Sequence, residues 1–176
     1  MVDDYRNRNI YFSTFTIDRW IPLFGDYSKT INNLYGVFDF YVIQNLIKIY
    51  SFCVLKDHVH IIWDLHDIDI NKLEHSFKSF SAKKIIEYLK ETEPLYIDNF
   101  LSSRKDRNIK IWKLNSKSIH LTHRDIIIQK IKYVHENPTK GDYFLFDKPE
   151  DYPHSSAGCY SKSKKQFPFL TLFPDF

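Results

Sequence analysis

From residue 58 to residue 65 the chain reads HVHIIWDL, and every second position (Val59, Ile61, Trp63, Leu65) is apolar. A period of two is that of a strand with one face on a core. IKIYSFCVL, residues 47–55, reads as a second strand. Only Lys56 and Asp57 separate the two, which predicts an antiparallel hairpin whose turn lacks glycine. NIYFSTFTI, residues 9–17, is aromatic and β-branched and predicts a first strand, broken by IPLFGDYS. From residue 28 to about 46, Ile31, Leu34, Val37 or Phe38, Tyr41 and Val42 recur at helical spacing, with Gly36 weakening the pattern. Leu73, Phe77, Phe80, Ile85 and Leu89 do the same over residues 72–91, with lysines between them. A loop is expected over 92–107, and IKIWKLN and SIHL suggest one or two short strands. A third helix begins near Thr122, a plausible N-cap with Asp125 three residues on, and ends before Pro138 and Gly141. Residues 141–176 hold many aromatics with no steady period and predict an irregular tail packed on the rest. Strands on either side of helices around a central hairpin define an α+β fold: an antiparallel sheet covered by helices.

Length and composition narrow this picture. The 176 residues, 43% apolar and 17% aromatic, suit a single domain over 1–176 and are too few for an eightfold α/β barrel. No apolar stretch approaches the roughly 20 residues that span a bilayer, and MVDDYRNRN lacks the apolar core of a signal peptide, so a cytoplasmic protein is expected. Two cysteines, Cys53 and Cys159, suggest neither a disulfide framework nor a cysteine zinc site. The net charge of +3 is small, but ten Lys and Arg stand against three acids between Arg104 and Lys140. Sharing one face, they would attract a polyanion; dispersed, they are a solvated surface.

Strand alternation sets His58 and His60 on the face opposite Val59, Ile61, Trp63 and Leu65, with Cα atoms about 7 Å apart. At that spacing both imidazoles can reach one divalent cation. Two ligands do not complete a site, and exposed strand histidines would fit the pair equally well. On the third helix the apolar stripe is Ile127, Ile128, Ile131 and Val134, and Tyr133 lies off its centre, flanked by Gln129 and Asn137 a turn either side. A helical tyrosine is ordinarily packing surface with a wet hydroxyl; this placement also lets the phenol and the Asn137 amide point at a common target.

The order DHVHIIW, FKSFSAKKI, KYVHENPTKG, then PEDYPHSSAGCY resembles the REP-associated tyrosine transposases, of the single-tyrosine HUH superfamily, along nearly the whole chain. HxH alone is a weak signal; the motifs in order are specific. The resemblance implies a ferredoxin-like HUH nuclease fold, His58 and His60 as a metal-ligating pair, Asn137 as a third polar ligand and Tyr133 as nucleophile, with Mg²⁺ or Mn²⁺ as cofactor. The cation would act as a Lewis acid on a scissile phosphodiester, and Tyr133 would displace the 3′ oxygen to give a 5′-phosphotyrosine and a free 3′ hydroxyl. The chain departs from the family pattern at Lys56 and Asp57, where Pro-Asn is usual, at His154, where an aromatic is common, and at Thr139, where valine is usual. None of these removes a ligand or the nucleophile, although Asp57 touches the turn or a contact behind the metal ligands.

The implied substrate is single-stranded or hairpin repeat DNA. Lys78, Lys83, Lys84, Arg104, Lys105, Arg107, Lys110, Lys113, Lys130 and Lys140 are candidates to track its backbone. Tyr11, Phe12, Trp112 and Tyr143 are candidate base stackers that serve equally as filler. The expected protein is thus a metal-dependent single-strand endonuclease and strand transferase, with no membrane partner and a homodimer compatible with the sequence. Two alternatives stay open: a domesticated, non-catalytic DNA-hairpin-binding module, and a metallohydrolase using water as nucleophile.

Overall fold

The structure, a computed structural model, describes residues 5–25, 28–102, 108–140, 145–161, 166–174 and 176. Four strands, β1 (Ile10–Thr16), β2 (Ile47–Val54), β3 (His58–Leu65) and β4 (Lys117–His120), form one sheet in the order β2-β3-β1-β4. Every neighbouring pair is antiparallel. With α1 (Ser28–Ile43) between β1 and β2 and α2 (Ile70–Thr92) between β3 and β4, the succession is βαββαβ, the ferredoxin-like arrangement. A further helix, α3 (Arg124–Glu136), follows β4, and a short one, α4 (Ala157–Ser161), lies in the C-terminal segment.

Local chemistry explains most boundaries. Asp69 caps α2 by accepting from the amides of Asn71 and Lys72, so the helix starts just ahead of the run its apolar spacing marks. α1 stops at Ile43, short of the expected Leu46, because Asn45 turns into the left-handed region (φ 54°) and the Leu46 amide bonds back to the Tyr41 carbonyl. The N-cap of α3 is His123, not Thr122, whose hydroxyl instead meets His123 Nδ1 at 2.8 Å. Of these, Ser118, Ile119 and His120 of SIHL join Lys117 as the strand β4. The IKIWKLN segment makes isolated bridges, Leu101 with Ile109 and Ile17 with Trp112.

Helices cover both faces of the sheet except at the edge strand β4, whose four residues are exposed. α1 and α2 cover one face, packing Phe38, Phe77 and Leu89 against Phe15, Ile61 and Trp63. α3 covers the other, setting Ile127, Ile131 and Val134 against Ile10, Phe12 and Ile62. Consequently all of β3 is buried, including the face that carries the histidines. A bulge in β2 between Ile49 and Ser51 departs from strict alternation. It turns Tyr50 and Ser51 together toward α3, where Ser51 Oγ meets His135 Nε2 at 3.2 Å and Ser156 Oγ meets the same nitrogen at 2.8 Å.

The C-terminal segment seals the outer edge of β2: Val54 N donates to His154 O, Ser156 N to Phe52 O, Thr171 N to Ile49 O and the Tyr160 hydroxyl to Tyr50 O. An edge strand left open would expose a row of unpaired backbone groups, so this tail completes the sheet. Cys53 and Cys159 are free and buried, and burial pushes the Cys53 thiol far up. A chromogenic thiol reagent at neutral pH should therefore modify neither residue in the folded protein and both in guanidinium, Cys53 being held as the unreactive thiol and Cys159 being shielded by burial. Among the described residues no helix is long and apolar enough to cross a membrane.

Candidate active site

The antiparallel register places Thr14 of β1 opposite His60 and Thr16 opposite His58. On the same face Thr14 Oγ1 meets His60 Nδ1 at 2.9 Å. At the start of β3 the Asp57 carboxylate meets His58 Nδ1 at 2.7 Å. With Nδ1 engaged on each ring, Nε2 is the nitrogen each would offer a cation, and a carboxylate behind an imidazole raises its basicity and fixes its orientation. The two rings lie edge to face with centroids 4.8 Å apart.

Across this face α3 carries Tyr133, its ring centroid 5.7 Å from that of His60 and 5.8 Å from that of Phe12. Phe12 in turn lies 5.5 Å from His60, so the three rings pack together. His58 and His60 are 8% and 5% exposed while Tyr133 is 45% exposed: the phenol stands at the solvent boundary of a site whose imidazoles are set back from it. Lys130, one turn before Tyr133, holds its ammonium 5.1 Å from the Tyr133 ring centroid and 5.3 Å from that of Phe12.

Asn137 follows α3 directly. Its Nδ2 donates to the Tyr133 carbonyl at 2.7 Å, and its side chain also hydrogen-bonds the His60 ring. Burial, then the neighbouring His58 and Lys130, drive the His60 pKa down to about 3 against the opposing pull of Asn137. His60 is thus a neutral imidazole at physiological pH, the form that binds metal. One chain therefore brings His58, His60, Tyr133 and Asn137 together. Among the described residues no three His, Cys, Asp or Glu side chains converge as metal ligands.

The basic residues do not form one surface. Lys78, Lys83, Lys110 and Lys113 line a groove of about 670 Å³ between α2 and residues 109–114, on the sheet face opposite α3. Within it the Lys78 ammonium donates to Leu114 O and Lys110 pairs with Asp18 at 2.6 Å. Lys84 pairs with Glu87, and Lys140 with Glu136 beyond α3. Of the sequence candidates only Lys130 stands at the histidine–tyrosine cluster, while Arg104, Lys105 and Arg107 lie outside the described residues. Among the proposed stackers Phe12 and Trp112 are buried, Tyr11 stacks on His120, and Tyr143 is outside the described residues. Sequence reasoning missed Thr14, visible only through strand register, and Trp20, whose exposed ring lies 6.3 Å from that of His58.

The chain that carries this βαββαβ sheet and histidine–tyrosine cluster is a DNA-processing transposase by family. The model of the IS200-like transposase family matches residues 26–121, and the chain belongs to that family. The matched segment includes both histidines and ends before α3. The fold is similar to that of a REP-associated tyrosine transposase bound to a REP hairpin (TM-score 0.64, 16% identity, 98% of this chain and 88% of that one). It is also similar to a Deinococcus radiodurans protein described as a transposase (TM-score 0.51, 13% identity, 73% of this chain and 90% of that one). At these identities the likeness is one of fold. No curated protein matches the chain in sequence.

Proposed function

We propose that this transposase cuts and rejoins single-stranded DNA at a hairpin-forming repeat through a covalent Tyr133 intermediate. The observation that carries the reading is the packing of a half-exposed phenol against one of two adjacent, oriented imidazoles within a single chain. The hairpin bound to the REP-associated relative supports the substrate class.

Two imidazoles and an amide oxygen fit a divalent ion of mixed nitrogen and oxygen preference, Mn²⁺ more readily than all-oxygen Mg²⁺. His58, His60 and Asn137 would hold it, and when bound it would supply Lewis-acid stabilisation of charge on the scissile phosphate. The chain's own groups do the rest. Asp57 and Thr14 hold the rings in register, and Phe12 excludes water from one side of the cluster. The Lys130 ammonium places positive charge beside the Tyr133 ring, where negative charge gathers as the phosphate is attacked. The Tyr133 oxygen forms a bond to phosphorus as the bond from phosphorus to O3′ breaks. The phenolic proton is lost and the departing O3′ gains one, leaving a 5′-phosphotyrosine and a 3′ hydroxyl. No water is consumed, so a later 3′ hydroxyl reverses the exchange and rejoins the strand.

The test is incubation with end-labelled single-stranded DNA flanking a hairpin, plus Mn²⁺, followed by a denaturing gel. A protein–DNA adduct that chelator prevents is expected. Cleavage with no adduct would mean that water is the nucleophile, and binding with neither would mean a non-catalytic hairpin-binding module; either result ends this reading. Asp57→Ala should raise the Mn²⁺ concentration needed for half-maximal adduct by about 10- to 100-fold, the usual effect of losing an orienting carboxylate behind a ligand. Asp57→Asn, which keeps an acceptor oxygen, should recover part of the loss in the same titration.

A further inference from the structure

We infer that Trp20 is the platform on which an unpaired base of the substrate strand stacks as that strand enters the histidine–tyrosine site. The inference rests on the single-strand DNA reading above and adds to it the residue that engages a base. Of the three tryptophans, Trp63 and Trp112 are 0% and 5% exposed, while Trp20 is 54% exposed. A singly exposed apolar side chain is ordinary, as at Ile43 and Leu95, so it is the placement of Trp20 that carries the inference.

The backbone around Trp20 is held in a conformation that bulky residues avoid. Arg19 and Trp20 both lie in the left-handed region, at φ 54° and 58°, where neither side chain is favoured. Such conformations persist only where surrounding contacts impose them, and they cluster at functional sites. Here the Asp18 amide donates to Ile111 O and the Asp18 carboxylate pairs with Lys110. The Arg19 guanidinium donates to the carbonyls of Asn99 and Leu101, and the Trp20 amide to Ile17 O. The turn is thus anchored to Asn99, Leu101, Lys110 and Ile111 in a way that projects the indole outward.

Position and charge identify the occupant. The indole lies 6.3 Å, ring to ring and edge to face, from His58, at the margin of the proposed metal site. The Lys113 ammonium stands 3.8 Å from the indole centroid, and Lys113 also lines the groove along α2. Trp20 and Lys113 therefore join the basic groove on one side of the sheet to the histidines on the other. The ammonium lies over one face of the indole, so a phosphate pairing with it would accompany a base stacked on the other face, and stacking on an aromatic is tolerant of sequence.

The tryptophan distribution makes the test direct. Binding is followed by anisotropy with a fluorescein-labelled single-stranded thymidine decamer and with the same decamer built of abasic sites, which keeps the phosphates and removes the bases. In parallel, unlabelled decamers are titrated against intrinsic tryptophan emission. The thymidine decamer is expected to quench the solvent-exposed emission and the abasic decamer to bind without quenching. Trp20→Leu should weaken thymidine-decamer binding by about 5- to 100-fold, as for loss of one stacked base, leave abasic binding unchanged, and be rescued in part by Trp20→Phe. Equal loss for both decamers would mean that the substitution disturbs only the basic surface, and would overturn the inference. Thymidine binding without quenching overturns it in the wild-type protein, whatever the variant does, and leaves the Tyr133 reading standing if the hairpin adduct still forms. Failure to bind the thymidine decamer while the hairpin adduct still forms overturns the inference alone, and absence of the hairpin adduct overturns the Tyr133 reading.

Discussion

Tyr133→Phe should reduce adduct formation and strand cleavage by at least about a thousandfold, because it removes the only oxygen that the proposed reaction transfers to phosphorus and leaves no substitute in the ring. The same change should leave DNA binding and folding nearly untouched. Tyr133 is 45% exposed, and its packing against His60 and Phe12 is made by the ring, which phenylalanine retains. Substitutions at such positions ordinarily alter stability by about half a kcal/mol or less. The measurement is a single-turnover gel assay on hairpin-flanked DNA, with anisotropy for affinity and a thermal melt for stability. Cleavage that survives in the phenylalanine variant would show that the strand is cut by water, whatever role the histidines play.

The contrast between activity and stability expected of Tyr133 reflects how the sheet divides its labour, and it also explains what the sequence made legible. Alternation in HVHIIWDL was enough to separate Trp63 from His60, because a strand's side-chain period does not depend on its neighbours. It did not show that both faces are buried, since the covering of the histidine face comes from α3, more than fifty residues away. The same limit applies to Thr14. Nothing local distinguishes it from Thr16, and only antiparallel pairing sets Thr14 against His60 and its hydroxyl on Nδ1. Ser51 is a sharper case. Simple alternation puts it on the side of Ile49, but the bulge at Tyr50 turns it toward His135, so the histidine two residues after Tyr133 anchors α3 to β2. Linear charge counting was the weakest guide. Lys110 and Lys130 belong to the same basic run, yet one is paired with Asp18 beside the groove and the other stands at Tyr133 across the sheet. Trp20 left no mark in any periodic pattern, because its exposure follows from two left-handed residues in a turn.

If stability resides mainly in the face of the sheet away from the chemistry, Phe77→Ala should separate the two in the opposite sense. Phe77 is fully buried on α2, with ring centroids 4.7 Å from Phe15, 5.7 Å from Trp63, 5.9 Å from Phe38 and 6.1 Å from Trp112. It therefore ties α1, α2, β1, β3 and the 109–114 segment into one aromatic cluster. Truncating such a ring removes its transfer free energy and leaves a cavity that rigid aromatic neighbours fill poorly, which costs about 3–5 kcal/mol. Against a typical total of about 5–15 kcal/mol that is a large fraction, and it should lower the melting temperature by roughly 10 °C or more. The imidazoles and Tyr133 lie across the sheet, and their partners Thr14, Asp57, Phe12 and Asn137 make no ring contact with Phe77 among those described. Adduct formation assayed well below the melting transition should accordingly stay close to wild type, then fail at a lower temperature. A variant that melts early yet also loses adduct yield in the cold would show instead that the aromatic face sets the spacing of the His58, His60 and Tyr133 rings through the sheet, and that packing and the proposed chemistry are coupled across β3.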